Sequence, residues 1–136
     1  MLDFKNILYA IDLDADKISS ARQACEFASL FKSRLHIVYV NNILAGYRTP
    51  ADHEDAVALR VKKEVPPALL EDIDVVYATL KGEIADEIVK YAEENQIALI
   101  ITSHTHRSKF YASMFDSTDV KIIDTTLIPV LVIPDK

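Results

Sequence analysis

Short apolar runs alternate along this chain with stretches in which apolar residues recur at helical spacing. Asn6 to Asp12 (NILYAID), Leu35 to Val40 (LHIVYV), Asp74 to Leu80 (DVVYATL), Ile97 to Thr102 (IALIIT) and Ile128 to Ile133 (IPVLVI) are rich in β-branched and aromatic residues and predict strands. The fourth run is apolar at nearly every position, the pattern of a strand covered on both faces. Ala21, Ala24, Cys25, Ala28 and Phe31 fall on one face of a helix, for which Ser19 or Ser20 is a candidate cap. A second helix is predicted over residues 52–65, interrupted by Pro66-Pro67, with a turn at residues 68–70. Ile84, Ile88, Tyr91 and Ala92 mark a third helix after Gly82, and Val120, Ile123 and Leu127 mark a short last one. Residues 41–50 read as a loop broken by Gly46 and Pro50, and residues 103–115 as a polar, basic loop.

Regular alternation of buried strands and amphipathic helices predicts a doubly wound α/β fold: a parallel sheet with helices on both faces. No internal repeat, linker or low-complexity segment divides the chain, so residues 1–136 are expected to form a single domain. In such a sheet, ligands bind beyond the carboxyl ends of the strands, where the strand order reverses.

Composition narrows the function. Half of the 136 residues are hydrophobic, the net charge is −6 and the pI about 5.1. That sign is wrong for a general nucleic-acid binder or for docking on anionic lipid. Cys25 is the single cysteine, so no internal disulfide is expected, and its alanine-lined helix face predicts a buried, inert thiol. The N-terminal residues show no basic region followed by a long apolar run, and no stretch reaches the length of a membrane span. A cytoplasmic location is expected.

The pieces ILYAID at 7–12, LHIVYV at 35–40, Gly82 with its helix, LIITSHTHRS at 99–108 and STDVKIIDTTLIPVLVIP at 117–134, in this order and spacing, resemble the universal stress protein family over essentially the full length. The resemblance implies a five-stranded parallel sheet of order 3-2-1-4-5. It also implies a nucleotide site at Asp12, Val40, Ser103, His106, Arg107, Ser117 and Thr118. Nucleotide-binding members carry Gly-x2-Gly-x9-Gly-Ser/Thr after the fourth strand. Here the three glycine positions are Ser103, His106 and Asp116, and only the hydroxyl, Ser117, is kept. The family's Gly-Arg pair becomes His106-Arg107. Asp12 matches the aspartate that contacts the nucleoside, and Val40 the valine that packs on the base.

These replacements act against a phosphate. Glycine reaches positive φ without strain and lets backbone N–H groups approach an anion with no Cβ in the way. His106 puts an imidazole in that space, and Asp116 puts a negative charge there. Two like charges about 4 Å apart repel by about 4 kcal/mol at the effective dielectric of a protein surface, nearly three decades of affinity. Gly46 and Gly82 are the only glycines, so no other loop offers a cradle. As a structural residue, Asp116 would cap the last helix and occupy the electropositive spot itself.

Other polar groups each admit a functional and a structural role. His104 and His106 form His-x-His, a metal-binding pattern if Asp12 or Asp116 joins them and otherwise a pair of solvated histidines. Arg107 and Lys109 are placed to hold an anion or to offset nearby acids. Asp12 stands at a strand end, to bind a ligand or to hold the next loop through its N–H groups. His36 and His53 read as structural or surface residues. Ser103, His104 and Asp12 are not read as a hydrolytic triad, because no nucleophile elbow or oxyanion loop accompanies them.

The expected function is therefore a non-catalytic, dimeric stress-response module that binds an unidentified protein partner, with no cofactor, or ATP or AMP if any. Its twofold pairing would run through the apolar edge strand Ile128 to Ile133, as the resemblance implies. The alternatives are an ATP- or AMP-binding member with an altered phosphate loop, and a small metal-dependent α/β enzyme using Asp12, His104 and His106.

Overall fold

Side-chain alternation along the central strand decides the layering. In β1 (Asn6–Ala10), Ile7 and Tyr9 point to one face and Leu8 to the other, and all three are fully buried. Both faces therefore need a cover. The computed structural model describes residues 3–13, 19–41, 53–105 and 118–135. In it, β1 lies at the centre of a five-stranded parallel sheet. On one side are β2 (Arg34–Asn41) and β3 (Asp74–Lys81), and on the other β4 (Leu99–Thr105) and β5 (Val130–Asp135). The order is β3-β2-β1-β4-β5, as expected.

One face of the sheet is covered by α1 (Ser19–Phe31), α2 (His53–Glu64) and α3 (Pro67–Glu71). Ala21, Ala24, Cys25 and Ala28 of α1, with Val57 and Val61 of α2, pack on Ile7, Tyr9, Leu35, Ile37 and Ile101. The opposite face carries α4 (Ile84–Glu94) and α5 (Thr118–Thr125). There Ala85, Ile88, Val89, Ala92 and Ile122 pack on Leu8, Val38, Val40 and Ile100. A fully buried Leu or Ile contributes about 1.5–3 kcal/mol, so these two layers supply the main stabilisation.

The boundaries differ from the sequence pattern where neighbours intervene. β1 ends at Ala10, two residues short of Asp12, although the Ile11 N–H still donates to the Val38 carbonyl at 3.0 Å. β4 starts later than Ile97, because the Ile97 N–H closes the preceding helix on the Ala92 carbonyl at 2.9 Å. It also runs on through Ser103, which the pattern placed in a loop, because β5 continues beside it with Ser103 opposite Ile133 and Thr105 opposite Asp135. β5 starts at Val130 and passes through Pro134, a residue without an N–H that an edge strand tolerates. The expected turn after Pro66-Pro67 is the short helix α3, with Pro67 as its first residue. Of the expected apolar markers of the last helix, Val120 and Ile123 of α5 are 45% and 48% exposed, Leu127 lies past the helix end and is 104% exposed, and Ile122 is the residue that reaches the core. Ser20, a candidate cap, lies inside α1, and its hydroxyl pairs with the Tyr9 hydroxyl at 2.7 Å.

Two helices end in the same way without glycine. Lys32 (φ 54°) follows α1 and Gln96 (φ 56°) follows α4, both left-handed. The next N–H reaches back to the last turn, Ser33 to Ala28 O and Ile97 to Ala92 O, each at 2.9 Å. Gly82 (φ 140°) turns the chain from β3 into α4. There Glu83 caps the helix by accepting from the Asp86 N–H at 2.8 Å.

Gln96→Gly is expected to raise stability by about 1 kcal/mol, since an L-residue in the left-handed region costs about that much. Gly82→Ala is expected to lower it by about 1–3 kcal/mol. Its backbone angle, more than the 2.9 Å approach to the flexible Glu87 side chain, sets that cost. Urea unfolding midpoints of the two variants read both signs.

Candidate functional site

Reversal of strand order between β1 and β4 places the switch point at the carboxyl ends of these two strands. Ala10 pairs with Val38 on one side and Thr102 on the other. Two further steps along each strand reach Asp12, Val40 and His104, so these positions lie at one level at the same end of the sheet. Asp12 is exposed just past β1, and Val40 is buried, packed in the α4 layer. Ser103 is half-buried on β4 and, by strand alternation, belongs to the face that Ile101 presents to α1. Thr118 is the first residue of α5. His106, Arg107, Lys109, Asp116 and Ser117 lie outside the described residues.

The same end of the sheet holds two polar side chains that the sequence pattern passed over. Asn41, the last residue of β2, is 1% exposed, and its side-chain amide nitrogen has no hydrogen-bond partner among the described residues. Its carbonyl accepts from the Gly82 N–H at 3.1 Å. The buried hydroxyl of Thr79, which stands opposite Tyr39, likewise has none among the described residues. Most buried polar groups in proteins are satisfied, and an orphan costs about 1–3 kcal/mol. The available signal was a polar residue interrupting or ending an apolar run: Asn41 directly after LHIVYV and Thr79 within DVVYATL.

Elsewhere the titratable groups read as structural. Burial pushes the Cys25 thiol up to about 11, and Glu26 adds to it. Burial also raises the Tyr77 phenol, with a smaller contribution from Cys25. Among the described residues no group of three His, Cys, Asp or Glu is arranged to hold a metal ion, and no helix is long and apolar enough to cross a membrane. An open groove of about 710 Å³ sits at the opposite, amino end of the sheet, lined in part by Lys5, Asn6, Lys32, Arg34, Asp72 and Asp74. It is remote from the switch point.

Comparison with known proteins gives a consistent picture. The model of the Universal stress protein family matches residues 3–134. A universal stress protein solved in complex with cAMP superposes with a TM-score of 0.76 at 13% identity, over 98% of each chain. UspA from Lactobacillus plantarum has a TM-score of 0.65 at 23% identity, over 96% of this chain and 97% of that one. The universal stress protein from Archaeoglobus fulgidus in complex with dAMP has a TM-score of 0.64 at 20% identity, over 98% of this chain and 99% of that one. At these identities the likeness establishes the fold. No curated protein matches the chain.

Cys25 is expected to resist alkylation by iodoacetamide at pH 8 in the folded protein and to react only in denaturant. Mass spectrometry of the alkylated protein, with and without urea, reads the difference.

Proposed function

Because the chain belongs to the universal stress protein family, we propose that it acts as a non-catalytic, dimeric stress-response module that engages a protein partner and binds nucleotide weakly or not at all. The observation that carries this reading is the 103–117 segment. Ser103, His106 and Asp116 stand where a phosphate-cradling loop of the family has glycine. A bare backbone with positive φ is what lets several N–H groups converge on a phosphate, and this segment has no glycine to supply it. The cleft would be used for its shape and charge, without a transferred phosphoryl group.

A second reading has its own support. Similar structures hold cAMP and dAMP, and Asp12 and Val40 lie at one level at the switch point, where a nucleoside would sit. Arg107 and Ser117 keep two side chains suited to a phosphate. On this reading the chain binds AMP or ATP, with the base and ribose providing most of the affinity. Asn41, next to Val40, brings a buried donor to that end of the sheet.

Dimer formation rests on the β5 edge. β5 pairs with β4 on one side only, and Val130, Leu131 and Val132 stay half-exposed on it. Leu127 is fully exposed just before the strand. An apolar strand edge of this kind is a template for pairing with a second copy.

Calorimetry with ATP and Mg²⁺ is expected to show a Kd weaker than about 1 mM, and a micromolar Kd would decide for the second reading. Light scattering at micromolar concentration is expected to return a dimer, and Val132→Lys, which puts a charge on the edge, to return a monomer with unchanged circular dichroism.

A further inference from the structure

One buried histidine has its two ring nitrogens committed to two different elements. His36 lies on β2, facing α4, and is 5% exposed. Its Nδ1 is 2.7 Å from the Tyr91 hydroxyl on α4, and its Nε2 is 3.1 Å from Asn6 Oδ1 on β1. The Tyr91 and His36 rings also meet edge to face, with centroids 5.6 Å apart. The Asn6 side-chain oxygen accepts only, so Nε2 carries the proton. Nδ1 is then bare and accepts from the Tyr91 hydroxyl.

This arrangement works only for a neutral ring. If both nitrogens carry hydrogens, Tyr91 has to turn its O–H away and present a lone pair, and a positive charge has to sit where water hardly reaches. The surroundings do little to help. β1 presents the uncharged Asn6 and Leu8, and β2 presents Arg34, which disfavours the cation. β3 presents Asp74, which favours it but is ion-paired to Arg34 at 2.7 Å. Burial, then Arg34, place the His36 pKa below its ordinary 6.5, against the smaller pull of Asp74. On α4, burial raises the Tyr91 phenol, so it remains a donor through the acid range. Asn6, Arg34 and Asp74 also line the open amino-end groove, which brings water to the Asn6 end of the chain of bonds.

We infer that His36 is an acid-sensitive latch, whose neutral imidazole ties the last turn of α4 to the sheet and whose protonation releases it. The released part is local. Ala85, Ile88, Val89 and Ala92 still hold α4 in the core. What loosens is Tyr91 and the helix end built on it, where the Tyr91 carbonyl accepts both the Asn95 N–H at 3.0 Å and the Asn95 side-chain amide at 2.9 Å. The sign follows from linkage. An opened state, with an ordinary histidine, binds more protons than the closed state between the lowered pKa and 6.5. Closure therefore weakens as pH falls through that window, and is unaffected above it.

The test reads the ring and the helix end separately. Imidazole ¹⁵N NMR of the intact protein is expected to show the Nε2–H tautomer at pH 7.5 and a titration midpoint below 6.5. Hydrogen-exchange protection of residues 91–97, corrected for intrinsic rates, is expected to fall by about three- to tenfold between pH 7.5 and 5.5. In His36→Phe it is expected to be lower but independent of pH. An Nδ1–H tautomer, a midpoint at or above 6.5, or the same pH dependence in His36→Phe overturns the proposal. Should His36→Phe fail to fold, the ring titration of the intact protein still decides.

Discussion

Burial of β1 on both faces is the constraint from which the rest of the molecule follows. Ile7, Leu8 and Tyr9 have no exposed surface, so the sheet needs a helical layer above and another below. Parallel strands make this possible, because every crossover must carry the chain from the carboxyl end of one strand back to the amino end of the next. α1 with α2 and α3 fills one face, and α4 with α5 fills the other. The reversal of direction after β3 then opens the space beside β1 and β4 at the carboxyl end. The site is thus a by-product of covering the central strand.

The two ends of the sheet are finished differently. At the amino end, polar side chains are paired: Arg34 with Asp74, Ser29 with Asp72, His36 with Asn6 and Tyr91. The pairs of Arg34 and His36 cross between neighbouring strands and between a helix and the sheet. At the carboxyl end, Asn41 and Thr79 keep buried polar atoms with no partner among the described residues. A buried polar atom left without a partner costs about 1–3 kcal/mol, so the two ends do not contribute equally to stability.

Family membership and the loop chemistry answer different questions. The family match describes what the whole chain folds into, since a sheet tolerates many apolar substitutions at equal volume. The glycine positions concern single atoms, because one Cβ or one carboxylate is enough to exclude a phosphate oxygen. A chain can keep the first and lose the second, so the fold alone does not decide nucleotide affinity.

What could be read from residues alone was whatever depends on short range. Alternation within NILYAID or LHIVYV, the apolar stripe of Ala21 through Phe31 and the break at Pro66-Pro67 are local, and they located the five strands, the helices and the α/β class. That residues 103–117 contain no glycine is equally plain in one dimension. Strand ends were less legible, since β4 extends to Thr105 only because β5 runs beside it. The buried face of α5 is not legible either: Ile122 and not Ile123 joins the α4 layer, and a helix of eight residues has too few turns to declare its buried side. The His36–Tyr91 contact joins residues 55 positions apart, and the burial of Asn41 at the end of β2 depends on layers far from it in sequence. Partnership between distant side chains is set by how the layers stack, and only the folded chain brings those layers together.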